Sequence, residues 1–108
     1  MGHRVHELDQ LLFRIRTLAA QGKVRFTAKA LEELWELDLG LDSDDAIQIL
    51  QDLVPRDLKS RLISRLTGES MYVFSPTVAN VALYLKLIVR TECVIISFHQ
   101  DADDDAEA

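Results

Sequence analysis

A single cysteine, Cys93, occurs in the 108 residues, which excludes an internal disulfide and a thiolate metal cluster. There is no run of 18 apolar residues, and Met1-Gly2-His3-Arg4-Val5-His6 carries no apolar stretch of the signal-peptide kind. A soluble, cytoplasmic protein without a membrane span is therefore expected. A Gly-rich phosphate loop, an HExxH helix, a nucleophile elbow and internal repeats are all missing. Acids are scarce in the second half, where residues 55 to 100 hold Asp57, Glu69 and Glu92 alone. That scarcity argues against a two-metal nuclease, which needs several converging carboxylates. His3 and His6 have no ligand partner at useful spacing, so no metal or other cofactor is expected.

What is present is an uneven charge. The net charge is -6, yet residues 1 to 54 hold six Lys or Arg against ten acids, residues 55 to 100 six against three, and residues 101 to 108 none against five. Phosphate binding follows local cation density more than net charge, so the acidic total leaves RNA open as a ligand. A hydrophobic content of 48% supports one domain over residues 1 to 100. The tail, with Asp101, Asp103, Asp104, Asp105 and Glu107, lacks the apolar content to pack and is expected to be disordered.

Leu8, Leu11, Leu12, Ile15, Leu18 and Ala19 recur at helical spacing and predict a helix from about His6 to Gln21, stopped by Gly22, with Arg14 and Arg16 on its solvated face. Lys23 to Phe26 reads as a short extended segment or edge strand. Thr27 is a fair N-cap for a helix over about Ala28 to Leu37, in which Leu31, Leu34 and Trp35 form the inward stripe and Glu32, Glu33 and Glu36 the solvent face. Gly40 closes this helix. Ser43 then caps a third helix, amphipathic through Ile47, Leu50 and Val54 and ended by Pro55.

The run from Asn80 to His99 switches to period 2. Val81, Leu83, Leu85, Leu87 and Val89 are apolar while Tyr84, Lys86 and Arg90 alternate with them; Val94, Ile96 and Phe98 supply a matching face. A hairpin centred on Thr91-Glu92 sets Leu85 opposite Phe98, Leu87 opposite Ile96, Val89 opposite Val94, Tyr84 opposite His99 and Lys86 opposite Ser97. Tyr84, Lys86 and His99 then converge on one sheet face. Leu58 to Leu66 (LKSRLISRL) fits both periods. As a helix it has one apolar stripe; as a strand it turns Lys59, Arg61 and Arg65 to one face, and Met71 to Ser75 adds a further strand after a turn at Thr67-Gly68.

Tyr84-Leu85-Lys86 and the strand ending Ile96-Ser97-Phe98-His99 are preceded in order by Gln21-Gly22-Lys23-Val24-Arg25-Phe26-Thr27, Leu39-Gly40-Leu41-Asp42, Asp57-Leu58-Lys59-Ser60 and Val73-Phe74-Ser75-Pro76. Together, over residues 21 to 99, these segments resemble the MqsR-type toxins of bacterial toxin-antitoxin pairs, small RNA-cleaving proteins. The resemblance implies a RelE-like α+β fold with N-terminal helices packed on a C-terminal antiparallel sheet, and it favours the strand over Leu58 to Leu66. It puts the family's active-site Tyr at Tyr84, its first active-site Lys at Lys59 and its last at His99. Met71 stands where the family has Gln, and Phe74 where it often has Tyr. It also implies a cognate antitoxin as partner, mRNA as substrate, and contact with DNA only through the antitoxin complex.

The chemistry of these residue types fits that implication. Cleaving RNA without a metal requires a group to deprotonate the ribose 2′-hydroxyl, one to protonate the leaving 5′-oxygen, and cations for the phosphorane. Histidine titrates near ~6.5 and suits proton transfer at neutral pH. His99, Tyr84 and Lys59 are the candidate catalytic groups, with Lys86, Arg61 and Arg65 as phosphate-binding cations. Two other classes stay open: a sheet face that binds RNA or protein without cutting, and an interaction protein working through its acidic helices and tail.

Overall fold

In the computed structural model, residues 3–101 are described, with side chains from residue 7 onward. The fold is α+β, helices first and strands after. In order it comprises α1 (His3–Ala20), β1 (Val24–Phe26), α2 (Ala28–Glu36), α3 (Ser43–Gln51), a 3-10 turn (Pro55–Asp57), β2 (Leu58–Ile63), β3 (Ser70–Phe74), β4 (Thr77–Val78), β5 (Val81–Val89) and β6 (Cys93–Gln100). The sheet runs β1-β6-β5-β3-β2, with β4 paired to β5 off this path. Every pairing is antiparallel except that of β1 with β6, so the sheet is mixed.

The helices end where local chemistry ends them. Gly22, at φ +74°, adopts the left-handed conformation that terminates α1; its N–H donates to Ala19 O and that of Lys23 to Leu18 O, a Schellman closure. Thr27 Oγ1 accepts from Ala30 N at 3.1 Å and starts α2. At α3 the cap is Asp42 instead of Ser43, because Asp42 and Asp45 each accept the other's backbone N–H. Arg14 and Arg16 do more than face solvent, donating to the carbonyls of Arg90 and Leu53.

One row of side chains, Phe74, Leu85 and Phe98, crosses β3, β5 and β6 at the centre of the core, each fully buried. Leu12, Ile15 and Leu18 of α1 and Leu34 of α2 cover it. Cys93 packs in the same core, where burial pushes its thiol up to about 12 and leaves it a small apolar group.

The hairpin departs from the simple pairing over half its length. Tyr84 lies opposite His99, Leu85 opposite Phe98 and Lys86 opposite Ser97, as expected, but Leu87 lies opposite Ile95 and Val89 opposite Cys93. Ile96 is one extra residue on β6, a bulge that lets both Ile95 and Phe98 face the core. Thr27 ties it down, donating from its backbone N to Ile95 O and from Oγ1 to Ile96 O. A second bulge on β2 lies between Leu58 and Ser60, so Arg61 pairs with Tyr72. Alternation is broken there. Lys59 and Arg61 therefore face opposite sides of the sheet, against the expectation from period 2.

Two expectations for α2 also fail. Trp35 is 66% exposed, because α2 lies along β6 and buries the line through Ala30 and Leu34, with Leu31 partly buried beside it. Glu33 is not on the solvent face: its carboxylate accepts from the Phe98 N–H at 2.9 Å and from Lys29 Nζ at 2.9 Å. Beyond the short β1, this contact occupies the β6 edge that would otherwise offer an unpaired donor. Burial raises the Glu33 pKa, but Lys29, the Phe98 N–H and His99 outweigh it and hold the carboxyl below its ordinary 4.5. A depressed folded-state value means a stabilising contribution present above about pH 4.5 and lost as pH falls through the folded value. The stability gap between the native protein and Glu33→Gln should therefore shrink on acidification from neutral pH. Urea melts of both at pH 7 and below 4.5 check this; a gap independent of pH would refute it.

Candidate active site

The alternation of β5 places Leu83, Leu85 and Leu87 inward and Tyr84 and Lys86 on the sheet face away from the helices. Across the strand pair, the Tyr84 and His99 rings are stacked, centroids 4.8 Å apart and planes 6° from parallel. Two ammonium groups approach the tyrosine: Lys59 Nζ lies 5.9 Å and Lys86 Nζ 6.0 Å from its ring centroid. The β2 bulge aims Lys59 here. Lys86 lies between Val73 and Ser97, both buried, with its ammonium toward the Tyr84 ring.

His99 Nδ1 lies 2.7 Å from the carbonyl oxygen of Gln100. A carbonyl only accepts, so Nδ1 carries the hydrogen and, in the neutral ring, the lone pair resides on Nε2. This contact leaves Nε2 as the ring nitrogen available to accept a proton.

Four expected residues thus meet here: Tyr84, His99, Lys59 and Lys86. Arg61 and Arg65 do not join them. Arg61 donates to Ser70 Oγ at 3.1 and 2.9 Å and lines a hollow of about 600 Å³ with Glu7, Leu8, Leu11, Leu58 and Tyr72, on the helix side of the sheet. Arg65 sits in the turn beyond β2. Met71 pairs with Leu62 near the β2 edge, and Phe74 is in the core.

Two contributors lie outside the expected set of site residues. Asp101, assigned there to the tail, is 5% exposed and accepts from Lys59 Nζ with both carboxylate oxygens at 2.9 Å. It also accepts from Ser75 Oγ at 2.9 Å. Its signal was the period of β6 itself, since residues 99 and 101 point to the same face of a strand; the rest of the tail lies outside the described residues. The second is Lys29, which crosses from α2 to Ser97 Oγ at 3.1 Å. Among the described residues, no group of three or more His, Cys, Asp or Glu side chains is placed to hold a metal ion, and no helix is long and apolar enough to cross a membrane.

A stacked Tyr-His pair flanked by lysines has the means to bind a phosphodiester and move protons around it. No curated protein matches the chain. The family model described as motility quorum-sensing regulator, toxin of MqsA, matches residues 8–100. That span takes in every strand of the sheet and all four residues that meet at its open face, and the chain belongs to this family of toxins.

Proposed function

We propose that the open sheet face is the active site of a metal-independent endoribonuclease that cuts mRNA and so arrests translation and growth. The observation that carries the reading is the convergence of His99, its Nδ1 turned to the Gln100 carbonyl, with Tyr84, Lys59 and Lys86 on one sheet face. Nε2 of His99 takes the proton of the ribose 2′-hydroxyl, whose oxygen attacks the adjacent phosphorus. Lys59 and Lys86 offset the charge gained by the phosphorane. The P–O5′ bond breaks, and the leaving oxygen takes its proton from the Tyr84 hydroxyl; the two ammonium groups beside the ring stabilise the phenolate so formed. The products are a 2′,3′-cyclic phosphate and a 5′-hydroxyl. A shallow, cationic face with an aromatic at its centre suits a single strand rather than a duplex.

The family description supplies a protein partner, an antitoxin of the MqsA kind, which silences the toxin. Operator DNA is contacted by the complex and not by free toxin. Purified protein incubated with single-stranded RNA in EDTA should give fragments bearing a cyclic phosphate, and co-expression with the antitoxin gene should restore growth. Retained RNA binding without cleavage would point instead to the non-catalytic reading; cleavage only on addition of a divalent ion would overturn the mechanism.

A further inference from the structure

We infer that Asp101 is a positioning residue for the nuclease, fixing the ammonium of Lys59 beside Tyr84 where the scissile phosphate must come. The inference rests on the proposed site and names a part of it that lies past the end of β6. An ammonium has three donors, and Asp101 accepts two of them, at 2.9 Å each. Two hydrogen bonds to one carboxylate set the direction of a flexible four-carbon side chain that otherwise samples many rotamers. Asp101 is itself immobilised. Ser75 Oγ donates to its Oδ2, and its own backbone N–H donates to Ala82 O, so the end of β3, the start of β5 and the end of β6 all hold it.

The same carboxylate invites a second reading, in which it mimics phosphate and blocks Lys59 until RNA displaces it. Burial decides between them. The Asp101 side chain is 8% exposed against 31% for Lys59. A rival that RNA sweeps aside must be able to leave for water; pulling this carboxylate out breaks its bonds to Ser75 and Lys59, while the backbone hydrogen bond to Ala82 anchors the residue at the strand end. Lys59, the more exposed partner, can present its charge to a phosphate without losing Asp101. The bond therefore holds the lysine in place during the reaction.

Among the described residues, the charged and titratable groups around Lys59 include Asp101, Tyr84 and Lys86, with His99 stacked on Tyr84, and Lys29 and Glu33 of α2 against the neighbouring stretch of β6. Asp57, two residues before Lys59, turns its carboxylate to the Val54 N–H. Asp101 is a carboxylate bonded to Lys59, so losing its charge favours the uncharged amine at alkaline pH.

The test uses the full chain and RNA cleavage in EDTA. Asp101→Asn keeps the shape and an acceptor oxygen but removes the charge. It should lower kcat about 10- to 100-fold with KM little changed, as misplacement of a reacting group does. The alkaline limb of its pH–rate profile should move to lower pH, which a merely structural loss would not produce. Asp101→Glu should recover the alkaline limb. Ser75→Ala, which removes only the support under Asp101, should move both readouts the same way and by less; if Asp101→Asn does not fold, this variant decides. Unchanged kcat and an unmoved alkaline limb overturn the inference, and so does faster cleavage with lower KM, the mark of a displaced blocker. If His99→Ala and Tyr84→Phe keep full activity, the site reading fails first; if they lose it while Asp101→Asn does not, the site stands and this inference alone falls.

Discussion

His99→Ala should lower RNA cleavage by about 100- to 10,000-fold, the loss expected when a positioned base is removed. Folding should survive. His99 is partly exposed, and its stack on Tyr84 contributes about 0.5–1.5 kcal/mol, a small part of a domain's stability. Tyr84→Phe should cost cleavage on the same scale while keeping the stacked ring, because it deletes the hydroxyl alone. Lys86→Ala acts on charge and should weaken RNA binding and cleavage together. Rates measured with single-stranded RNA in EDTA, alongside thermal melts, separate these effects. Full cleavage and full toxicity in both His99→Ala and Tyr84→Phe would remove the site from this face.

The acidic total of the chain does not oppose a nucleic-acid substrate, since the charges are sorted in space. Lys59 and Lys86 flank Tyr84, while Glu33 is bound to Lys29 and Phe98, and Asp101 to Lys59. Among the described residues, Glu33 and Asp101 beside the site are thus engaged by named partners. On the proposed reading, a phosphate would meet a cationic face rather than the chain average.

The pairings that build the site were legible in the sequence because apolar residues hold every odd position from Val81 to Val89, and a hairpin centred on Thr91-Glu92 then sets Tyr84 with His99, Leu85 with Phe98 and Lys86 with Ser97. The same logic failed toward the hairpin turn, where β6 inserts Ile96. No side chain announces a bulge, and its apolar run Val94-Ile95-Ile96 fits either face. The bulge before Ser60 misled in the same way, sending Arg61 to the helix side. Trp35 was misjudged for another reason: it falls near the apolar stripe of α2, but a helix lying along β6 buries a narrower line than one packed between layers. Glu33 looked solvated because its partner, the Phe98 N–H, is 65 residues distant and belongs to the backbone. Asp101 was hidden by composition, since five acids in eight residues read as a tail even though the first of them continues the strand's face.

Leu85→Asn, one residue from Tyr84 and on the opposite side of the same strand, should unfold the protein or nearly so. Leu85 is fully buried in the row between Phe74 and Phe98. Truncating a buried leucine costs about 2–5 kcal/mol through lost contacts and the cavity left behind. An amide placed there adds about 1–3 kcal/mol for a polar group without a partner. Against a typical net stability of about 5–15 kcal/mol, the combined loss removes most of the margin in a domain this small. Tyr84→Phe provides the internal control, because it changes the chemistry on the outer face while leaving the inner row intact. Urea denaturation of the two variants beside the native protein makes the comparison. Leu85→Asn should show a collapsed midpoint or no cooperative transition, whereas Tyr84→Phe should melt within a few degrees of the native chain. A stable Leu85→Asn would mean that residue 85 does not face the core, and the alternation that carries Tyr84 and Lys86 to the open face would fail with it.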